Sequence, residues 1–405
     1  MRFRLALPWA ALLLSAFPLC GQARVLTLEQ ALALAREQGT GVALAKGRIE
    51  EARARQARAG RRFQENPVLE VNGGYRQAEG DFFDFEAAVA QGLYAGRQRT
   101  ARLAGALAGL DRAEAELAEA RRLLLREVWD TFVRALSARD RGALRARNRQ
   151  AAEELLAATA RRYEAGEASA LETNRARIAA ASAQAEQSAA EAEEASALAG
   201  LEVLLGLGPG EEVEIQGDLE ARPAPALEAL LAGLDRRPDL QALAAELRET
   251  EAEILLGQAL SRPQWGVRGG VAREEGADIV TAGLAVLLPV HDRGQETLAV
   301  GQARAASLRQ ALTAARGAAE AEVRGAHSAL SRRLAAVREL ERTALPALED
   351  NDSLARKSFE AGEINLGELL LIRREILETR LAYLDRQLEA SLTRFELEAA
   401  AGALP

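Results

Sequence analysis

Residues 66–75 read NPVLEVNGGY, and residues 262–271 read RPQWGVRGGV. Pro67 and Pro263 stand 196 residues apart, and the same spacing relates Gly73 to Gly269 and Gly74 to Gly270. It also relates YEAGE at 163–167 to FEAGE at 359–363, and Glu172 to Glu368. One constant spacing at separate places along the chain marks an internal duplication. Gly, Pro and acidic residues cluster between Gly206 and Pro225, which puts the junction there. The repeats are assigned to residues 24–216 and 217–405.

Period two follows each proline. Leu69, Val71 and Tyr75 alternate with Glu70, Asn72 and Arg76. Beyond an acidic turn at Glu79-Gly80-Asp81, Phe83, Phe85, Ala87 and Val89 alternate with Asp84, Glu86 and Ala88. This predicts a β-hairpin with strands at about 67–77 and 82–93. The second repeat has Trp265, Val267 and Val271, a turn at Glu274-Glu275-Gly276, then Val280, Leu284 and Val286. Its strands are expected at about 263–273 and 278–289. Pro67 and Pro263 open the hairpins, where a missing N–H is tolerated. Gly96 closes the first hairpin, and Pro289 and Gly294 close the second. Each strand is long enough to cross an apolar layer at a tilt. Four strands cannot close a barrel, and lipid does not tolerate an open edge. Three chains would supply twelve strands, enough for a transmembrane barrel. Tyr75, Phe83, Phe85, Tyr94 and Trp265 suit aromatic belts at its rims. On the strands alone, a soluble sandwich with one buried face is the alternative.

The rest of each repeat is helical. Thr27 with Gln30 forms a capping box, opening a helix expected to run to about Phe63. No proline stands between Pro67 and Pro209, and Leu103, Leu110, Leu117 and Leu124 recur every seventh residue. Leu107 and Val128 lie on the neighbouring seam. Heptads predict long supercoiled helices, at about 96–205 and 295–402. Each is expected to fold back on itself, the turns falling at Leu136-Ser137 and Leu330-Ser331. The outgoing arm from Gly96 to Leu136 would be roughly 60 Å long. Gly166 and Gly362 are then breaks partway along the returning arms, since glycine weakens a helix interior. The fold class is mainly α with a small membrane β part: a duplicated helix, β-hairpin and long helical hairpin.

Composition narrows the function. The net charge of −8 excludes a nucleic-acid binder, which needs a basic face. Arg2 and Arg4, the apolar run Leu5–Phe17 and Gly21-Gln22-Ala23 read as a signal peptide over residues 1–23. Cys20, the only cysteine, is either lost with it or lipid-anchored, although Leu19 stands where lipidation wants a small residue. No Ser/His/Asp set, phosphate loop or metal-ligand cluster is present, so neither catalysis nor a cofactor is expected. His291, beside Asp292 and Arg293, lacks further ligands and reads as a turn residue. His327 lies among small residues on a helix and reads as structural or solvated.

Taken in order, Asn66-Pro67, Leu93-Tyr94-Ala95-Gly96-Arg97, Pro289-Val290-His291-Asp292-Arg293-Gly294 and the paired Tyr/Phe-Glu-Ala-Gly-Glu sites resemble the TolC family of trimeric outer-membrane efflux channels. The resemblance spans the whole chain beyond the leader. The strand-opening Asn-Pro and the segment through Gly96-Arg97 are most similar to the heavy-metal, cobalt–zinc–cadmium branch. The family implies a homotrimer in the outer membrane of a Gram-negative bacterium. Its twelve-stranded barrel would continue as a helical tunnel through the periplasm. It would serve as the exit duct of a tripartite efflux system, with a periplasmic adaptor and an inner-membrane pump of the RND type. It places the periplasmic tip, a gate and adaptor contact, at the helix turns. The expected tip residues are Leu136, Ser137, Arg139, Asp140, Arg141, Leu330, Ser331, Arg332 and Arg333. It places an equatorial belt at Gly166 and Gly362. The tip charges read equally as ordinary solvated surface. The competing reading is a periplasmic coiled-coil adaptor or scaffold without a barrel. Adaptors carry one helical hairpin flanked by β domains, whereas this chain carries two with strands outside them.

Overall fold

A computed structural model describes residues 24–61, 63, 66–77, 81–93, 96–208, 213–219 and 222–403. The leader at 1–23, Cys20 and Tyr94 lie outside the described residues. Strand β1 (Arg24–Thr27) leads into α1 (Leu28–Gln38), a 3-10 turn at Thr40–Val42 and α2 (Ala43–Ala59). The first hairpin is β2 (Val68–Gln77) and β3 (Asp81–Leu93), followed by α3 (Arg97–Glu164) and α4 (Ala170–Leu205). Strand β4 (Val213–Gln216) and α5 (Leu227–Ala232) lead to α6 (Pro238–Leu260), then β5 (Gln264–Glu274) and β6 (Ala277–Leu287). Helix α7 (Gln295–Glu339) passes through a π turn at Leu340–Ala344 into α8 (Leu345–Glu360), and α9 (Leu366–Ala400) returns.

Thr27 caps α1 as its box predicts, with Gln30 Oε1 accepting the Thr27 N–H at 2.9 Å. The helix does not run on to Phe63. It breaks at Gly39, where a Cβ would lie 2.4 Å from the Ala35 carbonyl oxygen and 2.5 Å from a Leu124 methyl. The break lets α2 restart at a new angle against α3.

The turns also move. Helix α3 is 68 residues without interruption, about 100 Å long. Leu136 and Ser137 are buried in its middle, and Leu136 packs with Val128, Phe132, Leu201 and Leu205. Apolar residues continue at 128, 132 and 136, so nothing stops the helix there. In the second repeat Leu330 is fully buried inside α7, with Ser331, Arg332 and Arg333 following in the same helix. The chain reverses instead after Ala165 and Ala361. Gly166 and Gly362 sit in those reversals at φ 78° and 76°, a backbone region that glycine enters without a Cβ clash. Pro346 follows the π turn at the first turn of α8, where its missing N–H costs no regular helical bond.

A parallel pair joins β1 to β4, Val25 opposite Glu214 and Leu26 opposite Ile215, so the start of the first repeat is tied to the junction. This small sheet, α1 and the middle of α3 and α4 share one core. A second core holds α5, α6, α7 and α9, and Trp129 stacking on Phe395 at 4.3 Å links α3 to α9. Arg237, only 6% exposed, donates to the Ala400 carbonyl at 2.8 Å, to Asp239 at 2.8 Å and to Glu322 at 2.9 Å. Arg122 donates to the Ala399 carbonyl at 3.2 Å. Arg237 supplies a donor to a carbonyl at the end of α9, and Arg122 adds a second donor to the Ala399 carbonyl, which also accepts the Gly402 N–H at 3.1 Å. The bonds it donates to Asp239 and Glu322 push the Arg237 pKa further up, so it is charged at any working pH. Arg237→Ala removes the donor to the Ala400 carbonyl and the bridge to the half-exposed Asp239 and Glu322, and is expected to cost about 2 kcal/mol. Thermal melting in detergent measures it, and an unchanged midpoint would remove this clamp from the account.

Candidate functional site

The four long strands form one antiparallel sheet in the order β2-β3-β5-β6, leaving β2 and β6 as edges. Register sorts the side chains. Leu69 faces Val89, Val71 faces Ala87 and Tyr75 faces Phe83. Leu93 faces Trp265, Gln91 faces Val267 and Ala87 faces Val271. Trp265 faces Val286, Val267 faces Leu284 and Val271 faces Val280. Directly opposed residues share a face, so all of these lie on one side. That side is apolar through its middle, with Arg273 and Asp278 toward the turn end and Gln91 toward the other, yet open to solvent, with Val280 83% and Leu284 71% exposed. Soluble proteins do not leave so continuous an apolar face uncovered. The other face carries Glu70, Asn72, Asp84, Glu86, Arg268 and Thr281 between glycines and alanines.

Aromatics mark both ends of the apolar face. Tyr75, Phe83 and Phe85 stand near the β2–β3 turn, and Trp265 stands at the end joined to the helices. Ten residue steps separate Phe83 from Leu93 along β3, about 33 Å of strand. At the usual tilt that gives a band about 25 Å tall, the height of an outer-membrane apolar zone. Among the described residues no helix is long and apolar enough to cross a membrane. Pro67 and Pro263 directly precede β2 and β5, Pro289 lies just beyond β6, and Gly96 and Gly294 directly precede α3 and α7.

At the far end of the helices the two reversals are built alike. Ser169 and Asn365 cap α4 and α9 in complete capping boxes with Glu172 and Glu368. Hydrogen bonds from the Ser169 N–H and Oγ hold the Glu172 carboxyl below its usual range. Leu155 and Ala176 of the first helical hairpin pack with Ala355, Leu366 and Leu369 of the second, and Arg162 lies 5.9 Å from the centre of the Phe359 ring. The residues expected at the tip lie elsewhere. Arg139 donates to the Gly217 carbonyl at 2.9 Å and the Ile215 carbonyl at 3.2 Å, pinning the β4 segment at mid-height. Asp140 accepts from Arg139, Arg141 bonds Asp385 at 3.1 Å, and Arg333 holds the Glu389 carbonyl and Thr393. Ser331 donates to the His327 carbonyl, and Arg332 is exposed. These residues brace the waist, because the turn they were expected to flank is some thirty residues further on. The Ser-x-x-Glu of residues 169–172, directly after the YEAGE segment, was the readable signal for the true reversal.

A two-faced sheet with open edges, carried on helices about 100 Å long, defines a membrane-embedded wall rather than a soluble domain. Known proteins agree. The outer membrane efflux protein family matches residues 33–207. Cobalt-zinc-cadmium resistance protein CzcC of Cupriavidus metallidurans is 30% identical over 292 residues, 71% of this chain and 70% of that protein. The chain belongs to the outer membrane efflux protein family. Its fold matches the CmeC outer membrane channel of Campylobacter jejuni at TM-score 0.79, with 14% identity over 99% of this chain and 94% of that one. It matches the open-state MtrE outer membrane channel of Neisseria gonorrhoeae at TM-score 0.76, with 20% identity over 93% and 88%.

Two measurements check this geometry. A Cβ at Gly166 or Gly362 would meet nothing within 4 Å, so alanine there carries only the backbone cost of positive φ, about 1 kcal/mol each. Gly166→Ala and Gly362→Ala should each speed proteolysis at the reversals and leave the overall melting temperature nearly unchanged; equal loss throughout would contradict it. Just below the sheet, Glu249 is wedged between α6 and α3 beside Arg112 at 3.3 Å, and burial raises its pKa. The folded state therefore binds that proton more tightly, and stability falls as pH rises past the ordinary glutamate value. Glu249→Gln should raise the melting temperature near pH 7, and the gain should vanish near about pH 4.

Proposed function

We propose that this protein is the outer-membrane exit duct of a tripartite efflux system, a passive channel for small molecules or metal ions driven by an inner-membrane pump. The observation that carries the reading is the sheet: an apolar outer face of membrane height, a polar inner face, and two unpaired edges. Three copies pairing β6 of one with β2 of the next give a closed twelve-stranded barrel and satisfy every edge. The helices continue that wall as a tunnel into the periplasm. At its far end the Gly166 and Gly362 reversals meet the periplasmic adaptor and close or open the aperture. The waist at Leu136 and Leu330, ringed by β1, β4 and α5, is the equatorial belt. The inner-membrane partner is a pump of the RND type.

Kinship with a cobalt-zinc-cadmium resistance protein favours divalent metal cations as cargo. Two histidines, and no cysteine outside the leader, leave the wall poor in soft ligands. The metal passes hydrated, and the pump makes the selection. Expression of the full precursor in a Gram-negative host, followed by envelope fractionation and light scattering, tests the assembly. An outer-membrane species of three subunits is expected. A soluble periplasmic monomer or dimer would instead favour a coiled-coil scaffold. Deletion of the gene in its own host should sensitise growth to zinc, cobalt or cadmium.

A further inference from the structure

On the sheet's polar face, small residues, among them Gly74, Ala88, Ala90, Gly266, Gly270 and Ala272, surround the middle of the strands. One group of longer side chains interrupts them in the middle of the strands. Arg268 on β5 places Nη2 3.1 Å from Glu86 Oε1 on β3 and 3.1 Å from Glu70 Oε2 on β2. Asn72 Nδ2 donates to Glu86 Oε2 at 3.4 Å. All three charged side chains keep more than 40% of their surface in solvent.

We infer that Glu70, Glu86 and Arg268 form a charge filter inside the barrel that favours cations over anions. The inference rests on the exit-duct reading, because it takes the polar face as the lumen. One guanidinium stands against two carboxylates, so each subunit leaves one negative charge unbalanced at this height. Closure of the barrel would gather three such groups into a ring. Rings of charged side chains set ion preference in pores. Sheet stability alone does not account for the group, since solvent-exposed ion pairs contribute only about 0–1 kcal/mol. Arg268 draws the two carboxylates together across three strands, which concentrates the surplus charge at one level. A hydrated metal cation leaving the cell would be helped through this ring, and anions would be held back from re-entering.

Planar-bilayer recording of the purified full-length protein under a potassium chloride gradient tests the filter. The unaltered protein should prefer potassium over chloride. Glu70→Gln with Glu86→Gln should lower that permeability ratio by about threefold or more, and Arg268→Gln should raise it. Both effects should shrink at high salt, where the charges are screened. Unchanged ratios in both variants, with trimers intact and conducting, would overturn the filter and leave the group as a strut across the strands. If the unaltered protein assembles in the outer membrane but passes no current, the duct reading itself fails, and the filter with it.

Discussion

Unpaired backbone on two strand edges is the constraint to which the rest of the molecule answers. Among the described residues, strands β2 and β6 are the sheet's edges, each paired with a neighbouring strand on one side only. In water such edges invite aggregation, and in lipid each unmet group costs several kcal/mol. The apolar face makes retreat into water equally unfavourable. A four-stranded piece with such edges is therefore poorly suited to water or to lipid by itself, and pairing with further copies, as proposed above, would meet both demands. The helices are drawn into this, because α2, α3, α6 and α7 adjoin the strand ends and must stand in the order the sheet sets.

Below the sheet, duplication supplies the second demand, that two hairpins of different sequence end level. Identical turn chemistry at both reversals meets it: a positive-φ glycine, then an Asn or Ser cap with a glutamate three residues on. Cross-hairpin contacts among Leu155, Ala355 and Leu366 then hold the ends together. Arg237 and Arg122 do the corresponding work where α9 ends, closing the waist from within.

Features written within a few neighbouring residues were legible in the sequence. The alternation after Pro67 and Pro263 places the four strands to within two residues, and the 196-residue spacing reveals two copies of one plan. The capping box at Thr27 is likewise local. What was not legible depends on residues far apart. At the break, Gly39 is packed so closely against Ala35 and Leu124 that a side chain has no room, and β1 pairs with β4 across the whole span of α3 and α4. Arg237 carries no local signal for its clamp, because beyond Asp239 its partners lie at 322 and 400. The turn follows not the Leu-Ser pairs at 136–137 and 330–331 but a positive-φ Gly with a capping box just beyond it. Arg268 carries no local signal for the same reason of distance, although Glu70 and Glu86 fall on the polar phase of their strands.

Length is the remaining argument. The outgoing arm of the first repeat, Arg97–Glu164, and that of the second, Gln295–Glu360, differ by two residues, and the returning helices have 36 and 35. Helical rise is fixed at about 1.5 Å per residue, so equal counts mean equal reach. The second arm is not a regular helix, however. Its π turn at Leu340–Ala344 takes up chain without the full rise of an α-helical turn, and Pro346 follows where the ladder is already interrupted. Tyr383, on α9, donates to Glu341 within that turn at 2.8 Å and ties the irregular stretch to the returning helix. The irregularity thus leaves the second arm slightly shorter than the first, by a few ångströms in about 100 Å. The aromatic ends of the sheet fix its depth in the membrane, so these nearly equal lengths carry both reversals close to a common level about 100 Å away.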